Sequence, residues 1–319
     1  MNNDSRHDIL SIADITPAVV RAILDAGVQL KRAPRAPLLA QEYLALIFEK
    51  PSLRTRVSFE IAMQELGGGC VVLRPDEIQM GKREAIRDIA AYLSRNVTLA
   101  ALRVFSHAAL QEFAAAATIP VINALSDREH PCQALADLMT VLEHKQRLQG
   151  MRLVYVGDGN NVCHSLLLAA GSVGMHMTVA CPPGYEPDAA IVAQAQALGA
   201  PLGAVMSVTH DPHAAAEAAD VLYADVWASM GQEAETAARR AVFAPFQLNR
   251  ALLQRAAQDA IVLHCLPAHR GEEITDEVID SPQSVVFDQA ENRRHVQKAA
   301  LLYAAGKLSA PAVNTGGRG

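Results

Sequence analysis

The chain has 319 residues, of which 50% are hydrophobic and 19% are charged, and its formal net charge is -6. This balance is typical of a folded globular protein and excludes an intrinsically disordered chain. The mild negative charge argues against a nucleic-acid partner held by phosphate neutralisation. No apolar run reaches the roughly 18 residues that a membrane-spanning helix needs.

The N-terminal segment and the cysteines bear on the compartment. Residues Met1 to Asp14 are polar and acidic, unlike a secretory signal or an Arg-rich transit peptide. The cysteines are five, widely spaced and without a CxxC pair, which disfavours a disulfide framework. We therefore predict a cytoplasmic protein with reduced thiols and no membrane or nucleic-acid partner.

Short β-branched runs alternate with Ala/Leu-rich helical stretches along the chain, which predicts an α/β fold with parallel sheets. Predicted helices begin at Thr16-Pro17 and Pro131, and Gly67 to Gly69 are expected to end the helix before the second strand. The predicted strands are Leu44 to Phe48, Cys70 to Leu73, Ala100 to Phe105, Pro120 to Asn123, Leu153 to Val156, His176 to Cys181, Ala204 to Val208, Val221 to Tyr223 and Ile261 to Leu263.

The helical pattern that begins at Pro131 breaks around residues 147–150, between two strand–helix series of similar composition. We predict a first domain over residues 1–145 and a second over residues 146–288. Each is expected to be a mostly parallel sheet flanked by helices. A C-terminal segment over residues 289–319 is predicted to form a helix that packs back on the first domain.

The segment from Phe48 to Arg56 (FEKPSLRTR) is the strongest single motif. It follows a predicted strand and opens a helix, so its backbone N–H groups and the helix dipole face an anion. Ser52 and Thr55 add hydroxyl donors, while Arg54 adds a forked guanidinium. The alternative is an ordinary helix cap with solvated arginines.

A second motif, His130-Pro131-Cys132-Gln133, lies at the start of a predicted helix. An imidazole and a carboxamide in the first turn suit hydrogen bonding to a polar carbonyl and its amide. The alternative is that His130 only caps the helix.

A third motif, Gly157-Asp158-Gly159-Asn160-Asn161, follows a predicted strand and resembles the start of a dinucleotide-binding motif. Val162 stands where the third glycine of GxGxxG is needed for close helix packing, which disfavours nicotinamide binding. The two asparagines are better explained as a helix cap and a polar substrate contact.

The segment from Asp225 to Glu233 (DVWASMGQE) follows another predicted strand. A carboxylate with a serine and exposed backbone groups could clamp the ammonium and carboxylate of an amino acid. A capping box made by Ser229 and Gln232 is the structural alternative, and both can hold together.

A fifth motif runs from His264 to Gly271 (HCLPAHRG). His264, Cys265 and His269 could suggest zinc, but a Cys-x3-His spacing without a second ligand pair predicts no metal site. A thiol beside a Leu-Pro kink at a strand end is the simpler interpretation.

Taken together, these motifs resemble those of the ornithine carbamoyltransferases, within the aspartate/ornithine carbamoyltransferase family. The resemblance extends over essentially the whole chain, in order, and includes Ala290 to Arg293 near its end. It implies transfer of a carbamoyl group from carbamoyl phosphate to the δ-amine of L-ornithine, without metal or cofactor, in a homotrimer or a multiple of trimers. It also implies that the second domain closes over ornithine.

The resemblance implies roles for individual residues. The expected catalytic residues are Arg103, His130, Asp225 and Cys265. Carbamoyl phosphate is expected to bind Ser52, Leu53, Arg54, Thr55, Gln79, Arg103, His130, Gln133, Cys265, Leu266 and Arg293. Ornithine is expected to bind Asn161, Asp225, Ser229 and Met230. The first domain is thus expected to bind carbamoyl phosphate and the second ornithine.

One position departs from the family pattern, because Leu53 stands where a threonine is usual. This removes a hydroxyl but keeps the backbone donor, and N-acylornithine carbamoyltransferases can also carry leucine here. Transfer to putrescine, N-acetylornithine or aspartate therefore remains an alternative, as do a dehydrogenase and a non-catalytic paralogue. The sequence does not indicate whether the reaction serves arginine synthesis or breakdown.

Overall fold

The computed structural model describes residues 6–32, 36–228 and 236–308. By its internal contacts the chain divides into two compact units, Met1–Ala124 with Arg294–Gly319, and Leu125–Arg293. Each unit carries one parallel sheet flanked by helices, which confirms the predicted fold class. The predicted domain boundary at residue 145 stays a prediction.

The first unit is built on a four-stranded sheet in the order β2-β1-β3-β4. Its central strands are buried apolar runs, as expected for strands covered on both faces. The strands are β1 (Tyr43–Phe48), β2 (Gly69–Leu73), β3 (Leu99–Arg103) and β4 (Val121–Leu125). The helices are α1 (Pro17–Arg32), α2 (Leu53–Glu65), α3 (Pro75–Ile78), α4 (Ile86–Leu93) and α5 (His107–Ala116).

The second unit is built on a five-stranded parallel sheet in the order β7-β6-β5-β8-β9. Its strands are β5 (Arg152–Val156), β6 (His176–Ala180), β7 (Met206–Thr209), β8 (Val221–Ala224) and β9 (Ile261–His264). Its helices are α6 (Pro131–Lys145), α7 (Asn161–Val173), α8 (Ala189–Gly199), α9 (Pro212–Ala216), α10 (Thr236–Phe243), α11 (Arg250–Leu253) and α12 (Asp276–Ile279), and α13 (Val286–Ala304) begins there.

All nine predicted strands are present, with shifted ends. The three-glycine segment differs from its prediction, because only Gly67, at a φ of 83°, adopts the left-handed backbone that ends α2. Gly69 instead begins β2. At the other predicted signal, Pro17 opens α1 and the Thr16 hydroxyl accepts a hydrogen bond from the Val19 amide at 3.3 Å.

Both sheets reverse their strand order at one point, and this positions the polar motifs. In the first unit the chain turns back between β1 and β3, and in the second between β5 and β8. In parallel α/β sheets, ligands bind outside the carboxyl ends of the strands at such switch points. The segments that follow these four strands carry most of the residues predicted to bind substrate.

The C-terminal part of α13 packs on the first unit, as predicted. The Lys298 ammonium lies 2.8 Å from a Glu65 carboxylate oxygen and donates to the Leu30 carbonyl at 2.9 Å. No helix of the described residues is long and apolar enough to cross a membrane.

Candidate active site

The first unit presents the start of α2 directly after β1. Ser52 caps this helix, and its hydroxyl oxygen accepts a hydrogen bond from the Thr55 amide at 3.3 Å. The Thr55 side chain is buried, whereas Leu53 is 77% exposed. The predicted cap is therefore present, and the remaining N–H groups of the first turn with the helix dipole provide the anion-binding geometry expected from the motif.

Arg103 lies beside this helix start because it is the last residue of β3. It pairs in register with Phe48 at the end of β1, and its carbonyl accepts a hydrogen bond from the Glu49 amide at 2.8 Å. Its buried guanidinium donates from Nη1 to the Thr55 hydroxyl at 3.4 Å. The structure thus brings Arg103 and the Ser52–Thr55 turn together.

Gln79 lies further along the first unit, between α3 and α4. Its backbone is left-handed, with a φ of 41°, and its side chain is exposed. Its carbonyl accepts hydrogen bonds from Lys82 and Arg83, which closes a tight turn. The contact of Gln79 with carbamoyl phosphate stays a prediction.

In the second unit, His130 and Gln133 occupy the start of α6. His130 is the N-cap residue, but its imidazole makes no capping hydrogen bond, so capping by this side chain is not its role. Its backbone N–H donates to the Ser165 hydroxyl at 2.8 Å, which ties the turn to α7. His130 is buried, and Pro131 starts the helix.

Arg293 on α13 contacts Gln133. Its Nη1 donates to the Gln133 carboxamide oxygen, and the side chain is only 4% exposed. Its Nε and Nη2 atoms are buried and find no hydrogen-bond partner among the described residues. Burial lowers the pKa of Arg293, although nearby acidic groups including Asp137 oppose that shift. Such a group offers two unused donors to an anion or a carbonyl oxygen.

Asp225 and Cys265 form the polar centre at the carboxyl ends of β8 and β9. The Cys265 thiol donates to Asp225 Oδ1 at 2.9 Å, and Asn160 Nδ2 donates to Asp225 Oδ2 at 2.8 Å. Burial, reinforced by the Asp225 carboxylate, raises the pKa of Cys265 well above its ordinary value. The sulfur is therefore a neutral thiol at physiological pH.

The remaining predicted residues have different outcomes. Asn161 Nδ2 donates to the Ser126 carbonyl at 2.6 Å, so one of its amide hydrogens is already engaged. The Leu266 amide donates to His264 Nδ1 at 2.9 Å, which leaves the Leu266 carbonyl as the group for the predicted contact. Ser229 and Met230, with the predicted capping box, lie outside the described residues.

The dinucleotide interpretation is disfavoured by the start of α7. Asn160 Oδ1 accepts hydrogen bonds from the Val162 and Cys163 amides, at 2.9 and 3.1 Å. The amides that would hold a pyrophosphate are thus already capped. Gly159 serves packing, because a Cβ there would lie 2.2 Å from the Pro187 nitrogen.

His269, one of the three residues first considered for a metal, lies near two carboxylates. Among the described residues, one cluster of His269, Glu272 and Glu273 has suitable spacing, and it excludes Cys265. Both carboxylates already have protein partners. Glu272 accepts a hydrogen bond from the Arg240 guanidinium, and Glu273 accepts one from His264 Nε2 at 3.0 Å.

Two groups of buried polar residues near the site were not predicted from the sequence. The first centres on Asp137, which accepts hydrogen bonds from Gln133, Gln289 and Tyr223. The four-residue spacing from Gln133, which places Asp137 on the same face of α6, was the available signal.

The second is an ion pair between Arg239 Nη1 and Asp158 Oδ2 at 2.9 Å. The same nitrogen donates to the Trp227 carbonyl at 2.8 Å. No local pattern marks Arg239, because its partners lie on two other strand ends.

Comparisons with known proteins agree with this geometry. Residues 7–143 match the family model described as "Aspartate/ornithine carbamoyltransferase, carbamoyl-P binding domain", and residues 149–304 match "Aspartate/ornithine carbamoyltransferase, Asp/Orn binding domain". An ornithine carbamoyltransferase of Acidothermus cellulolyticus is 55% identical over 300 residues, covering 93% of this chain and 96% of the relative.

Solved structures show the same similarity. The ornithine carbamoyltransferase of Pyrococcus furiosus superposes with a TM-score of 0.92 at 48% identity, covering 97% of this chain and 100% of that one. An acetylornithine transcarbamylase complexed with acetylcitrulline superposes with a TM-score of 0.85 at 31% identity, covering 95% of this chain and 99% of that one.

Proposed function

The chain belongs to the aspartate/ornithine carbamoyltransferase family, and we propose that it transfers the carbamoyl group of carbamoyl phosphate to the δ-amine of L-ornithine, giving L-citrulline and phosphate. The observation that carries this proposal is the hydrogen-bonded pair of Asp225 and Cys265 at the strand ends of the second unit. A carboxylate beside a neutral thiol can bind an amine with one negative charge, whereas a carboxylate beside a thiolate would hold the amine as a cation between two negative charges. The high identity to ornithine carbamoyltransferases supports the choice of ornithine.

The phosphate of the donor is assigned to the first unit. The α2 amides, with Ser52, Leu53, Arg54 and Thr55, form the cradle, and Arg103 adds a buried positive charge beside Thr55. The Leu53 side chain is 77% exposed. The presence of leucine where the family usually has threonine leaves the backbone N–H donor in place. Gln79 is assigned a further contact from its loop.

The carbamoyl group is assigned to the second unit. His130 and Gln133 at the start of α6 would contact its oxygen and its amide. Arg293 would donate with the two nitrogens that have no hydrogen-bond partner in residues 6–32, 36–228 and 236–308. Cys265 and the Leu266 carbonyl would complete this set. Fixed donors of this kind stabilise the oxyanion that develops when the carbonyl carbon is attacked.

Ornithine is assigned to the segments that follow β5 and β8. Asp225 would bind the amino-acid end or steer the amine, with Asn161 contributing its amide. Ser229 and Met230 complete the proposed set. Asn160 fixes the orientation of the Asp225 carboxylate, since it donates to Oδ2 while the Val226 amide donates to Oδ1 at 2.8 Å.

The proposed reaction needs a neutral amine, although the ornithine δ-ammonium has a pKa of about 10 in water. The neutral state of Cys265 lowers the number of negative charges near that nitrogen and so favours its deprotonation. The δ-nitrogen then bonds to the carbonyl carbon, the bond from that carbon to the phosphoryl oxygen breaks, and phosphate departs with the electron pair and accepts the amine proton. The residues contribute positioning and electrostatic stabilisation.

We assign the protein to the cytoplasm, to arginine metabolism and to a homotrimeric assembly. All five cysteines, each within the described ranges, are thiols and not disulfides, which suits a reducing compartment. The first unit exposes Leu53, Val57, Tyr92 and Phe105, apolar side chains that an interface between subunits would cover. Sedimentation equilibrium of the purified chain tests the assembly, and a monomer would contradict it.

Substrate comparison tests the proposed reaction. Purified protein would be supplied with carbamoyl phosphate and either ornithine, N-acetylornithine, putrescine or aspartate, with phosphate and the carbamoylated amine both measured. We expect kcat/KM for ornithine to exceed the others at least about a hundredfold, since an unmatched polar group costs that order of discrimination. Preference for another amine would overturn ornithine while keeping carbamoyl transfer, and no turnover would overturn the enzyme assignment.

A further inference from the structure

The loop that leads into α6, residues 126–130, is held along its length by one face of α7. Three backbone groups of the loop, spaced two residues apart, each bond one side chain of that helix. The pairs are the Ser126 carbonyl with Asn161 Nδ2 at 2.6 Å, the Arg128 carbonyl with His164 Nδ1 at 2.9 Å, and the His130 N–H with the Ser165 hydroxyl at 2.8 Å. Helix residues three and four apart share a face, so α7 sets the path of the loop that presents His130.

The Ser165 hydroxyl makes two bonds to this loop. A backbone N–H can only donate, so the Ser165 oxygen is the acceptor toward His130. The single hydroxyl hydrogen then goes to Glu129 Oε2, at 3.1 Å. Ser165 is 0% exposed and Glu129 is 1% exposed, so both bonds form away from water. Glu129 therefore sets the direction in which the Ser165 hydroxyl points.

The His130 N–H depends on this hydroxyl because α6 gives it no acceptor. His130 is the N-cap residue, and the N–H groups at a helix start lie outside the helical hydrogen bonds. The residue is buried, and a buried donor that loses its acceptor carries the full cost of its desolvation. Without the Ser165 hydroxyl, that cost is relieved only if the turn that carries the His130 side chain moves.

His164 provides a second and separate anchor for the loop. A carbonyl can only accept, so Nδ1 of the ring donates to Arg128, and Nε2 accepts from the Asp188 amide at 3.0 Å. This pattern requires a neutral ring, and burial lowers the pKa of His164 in the same direction. Because the Asn161 and His164 bonds do not involve Ser165, the loop keeps two anchors when the Ser165 hydroxyl is removed.

We propose, on the basis of the proposed function, that Ser165 is a positioning residue for the carbamoyl contact of His130, with Glu129 orienting its hydroxyl. Ser165 touches neither substrate in this scheme. Its bond engages the backbone of His130 and not the imidazole, so it fixes where the ring is presented. The chain of contacts runs from the Glu129 carboxyl through the Ser165 hydroxyl to the His130 N–H.

The first test measures the His130 N–H in the wild-type protein, without substrate and without a variant. Amide hydrogen exchange would be followed residue by residue. We expect the His130 amide to exchange at least about a hundredfold more slowly than in an unstructured peptide, because Ser165 supplies the acceptor that the helix does not. Exchange at the rate of an unstructured peptide would overturn the proposal.

Two substitutions at Ser165 separate its hydroxyl from its packing. Ser165→Thr and Ser165→Val have nearly the same shape, and only the first keeps a hydroxyl. We expect the His130 amide to exchange at least about tenfold faster in Ser165→Val than in Ser165→Thr, the order expected for a lost hydrogen bond. Equal exchange rates in the two variants would overturn the proposal.

Ser172→Ala is the control for the exchange measurement. It removes another buried hydroxyl of α7, one that donates to the Ala169 carbonyl at 2.7 Å and does not contact the loop. The His130 amide should exchange within about twofold of the wild-type rate in this variant. A rise equal to that in Ser165→Val would show a general loosening of α7 and would overturn the specific role of Ser165.

The second test divides the carbamoyl contact from the phosphate contact. The ligands are inorganic phosphate and a stable phosphonate analogue of carbamoyl phosphate, in which CH₂ replaces the bridging oxygen. Relative to Ser165→Thr, Ser165→Val should raise the Kd of the analogue about tenfold and leave that of inorganic phosphate within about twofold. Equal weakening of both ligands, or unchanged binding of the analogue, would overturn the positioning role.

These tests also separate this proposal from the proposed function. Wild-type turnover of ornithine, together with equal exchange rates in Ser165→Thr and Ser165→Val, would refute the role of Ser165 alone. A wild-type protein that does not carbamoylate ornithine would overturn the proposed function, whereas amide exchange and analogue binding would still decide the role of Ser165.

Discussion

Two side chains of the candidate site show how desolvation sets chemistry at the scale of single residues. Burial raises the pKa of Cys265 and lowers that of Arg293, since each loses solvation of its charged form. The consequence differs. The thiol is neutral, whereas the guanidinium stays a cation with two nitrogens that have no hydrogen-bond partner within the described part of the chain. The sequence identified both residues but could not assign their protonation.

Arg103 gives the first prediction at this scale. Arg103→Met keeps an unbranched side chain but removes the charge beside Thr55, so kcat/KM for ornithine carbamoylation should fall at least about a hundredfold. Arg21→Met, on the exposed side of α1, is the matched control and should retain wild-type kinetics. Wild-type turnover in Arg103→Met would remove this residue from the mechanism.

Asp137 gives the second prediction, on stability. Burial, partly offset by hydrogen bonds from Gln133, Gln289 and Tyr223, raises its pKa from 3.8 to about 7. Between these two values the folded chain holds a proton that the unfolded chain has released, so stability falls as the pH rises through this range. Asp137→Asn removes this contribution.

The measurement for Asp137 is urea unfolding of wild type and Asp137→Asn at pH 5 and pH 8. The free energy of unfolding of the variant minus that of wild type should be larger at pH 8 than at pH 5, because only wild type loses this contribution as the pH rises. An equal difference at the two pH values would show that Asp137 has the same pKa in both states.

At the scale of elements, the strands were the most predictable part of the molecule. Buried parallel strands appear in the sequence as short apolar runs, so all nine were located, and Pro17 and Pro131 marked helix starts correctly. Strand ends were less accurate, as with β7, which begins at Met206 and not at Ala204. The limits of an edge strand are set by its pairing with the neighbouring strand. The residues of the edge strand alone do not show how far that pairing extends.

Gly159 provides a prediction about packing between elements. A Cβ at this position would meet the Pro187 nitrogen at 2.2 Å, and backbone cannot yield as a flexible side chain does. Gly159→Ala should therefore destabilise the protein by about 1–3 kcal/mol or more, as expected for overpacking. Thermal unfolding measures this.

Gly184→Ala is a matched control for that measurement. Its added Cβ meets no atom within 4 Å, although the φ of 86° strains any side chain. We expect it to cost only the left-handed backbone penalty of about 1–2 kcal/mol. A smaller loss in Gly159→Ala than in Gly184→Ala would contradict the packing argument.

At the scale of the whole molecule, the sequence predicted motifs better than networks. Motif residues such as Ser52 and His130 lie at helix starts after strands, where local pattern and sheet topology coincide. Gln289 and Arg239 could not be found this way, because their partners are distant in the sequence and come together only in the fold. Long-range polar contacts depend on topology, which local periodicity does not encode.

The central claim is that a carbamoyl group passes from carbamoyl phosphate to the δ-nitrogen of ornithine. The most direct measurement uses carbamoyl phosphate labelled at its carbonyl carbon, with ornithine and the purified wild-type protein, followed by NMR. We predict that the label appears in citrulline, bonded to the δ-nitrogen, in a one-to-one ratio with released phosphate. Phosphate release without labelled citrulline, or label on another nitrogen, would contradict the account.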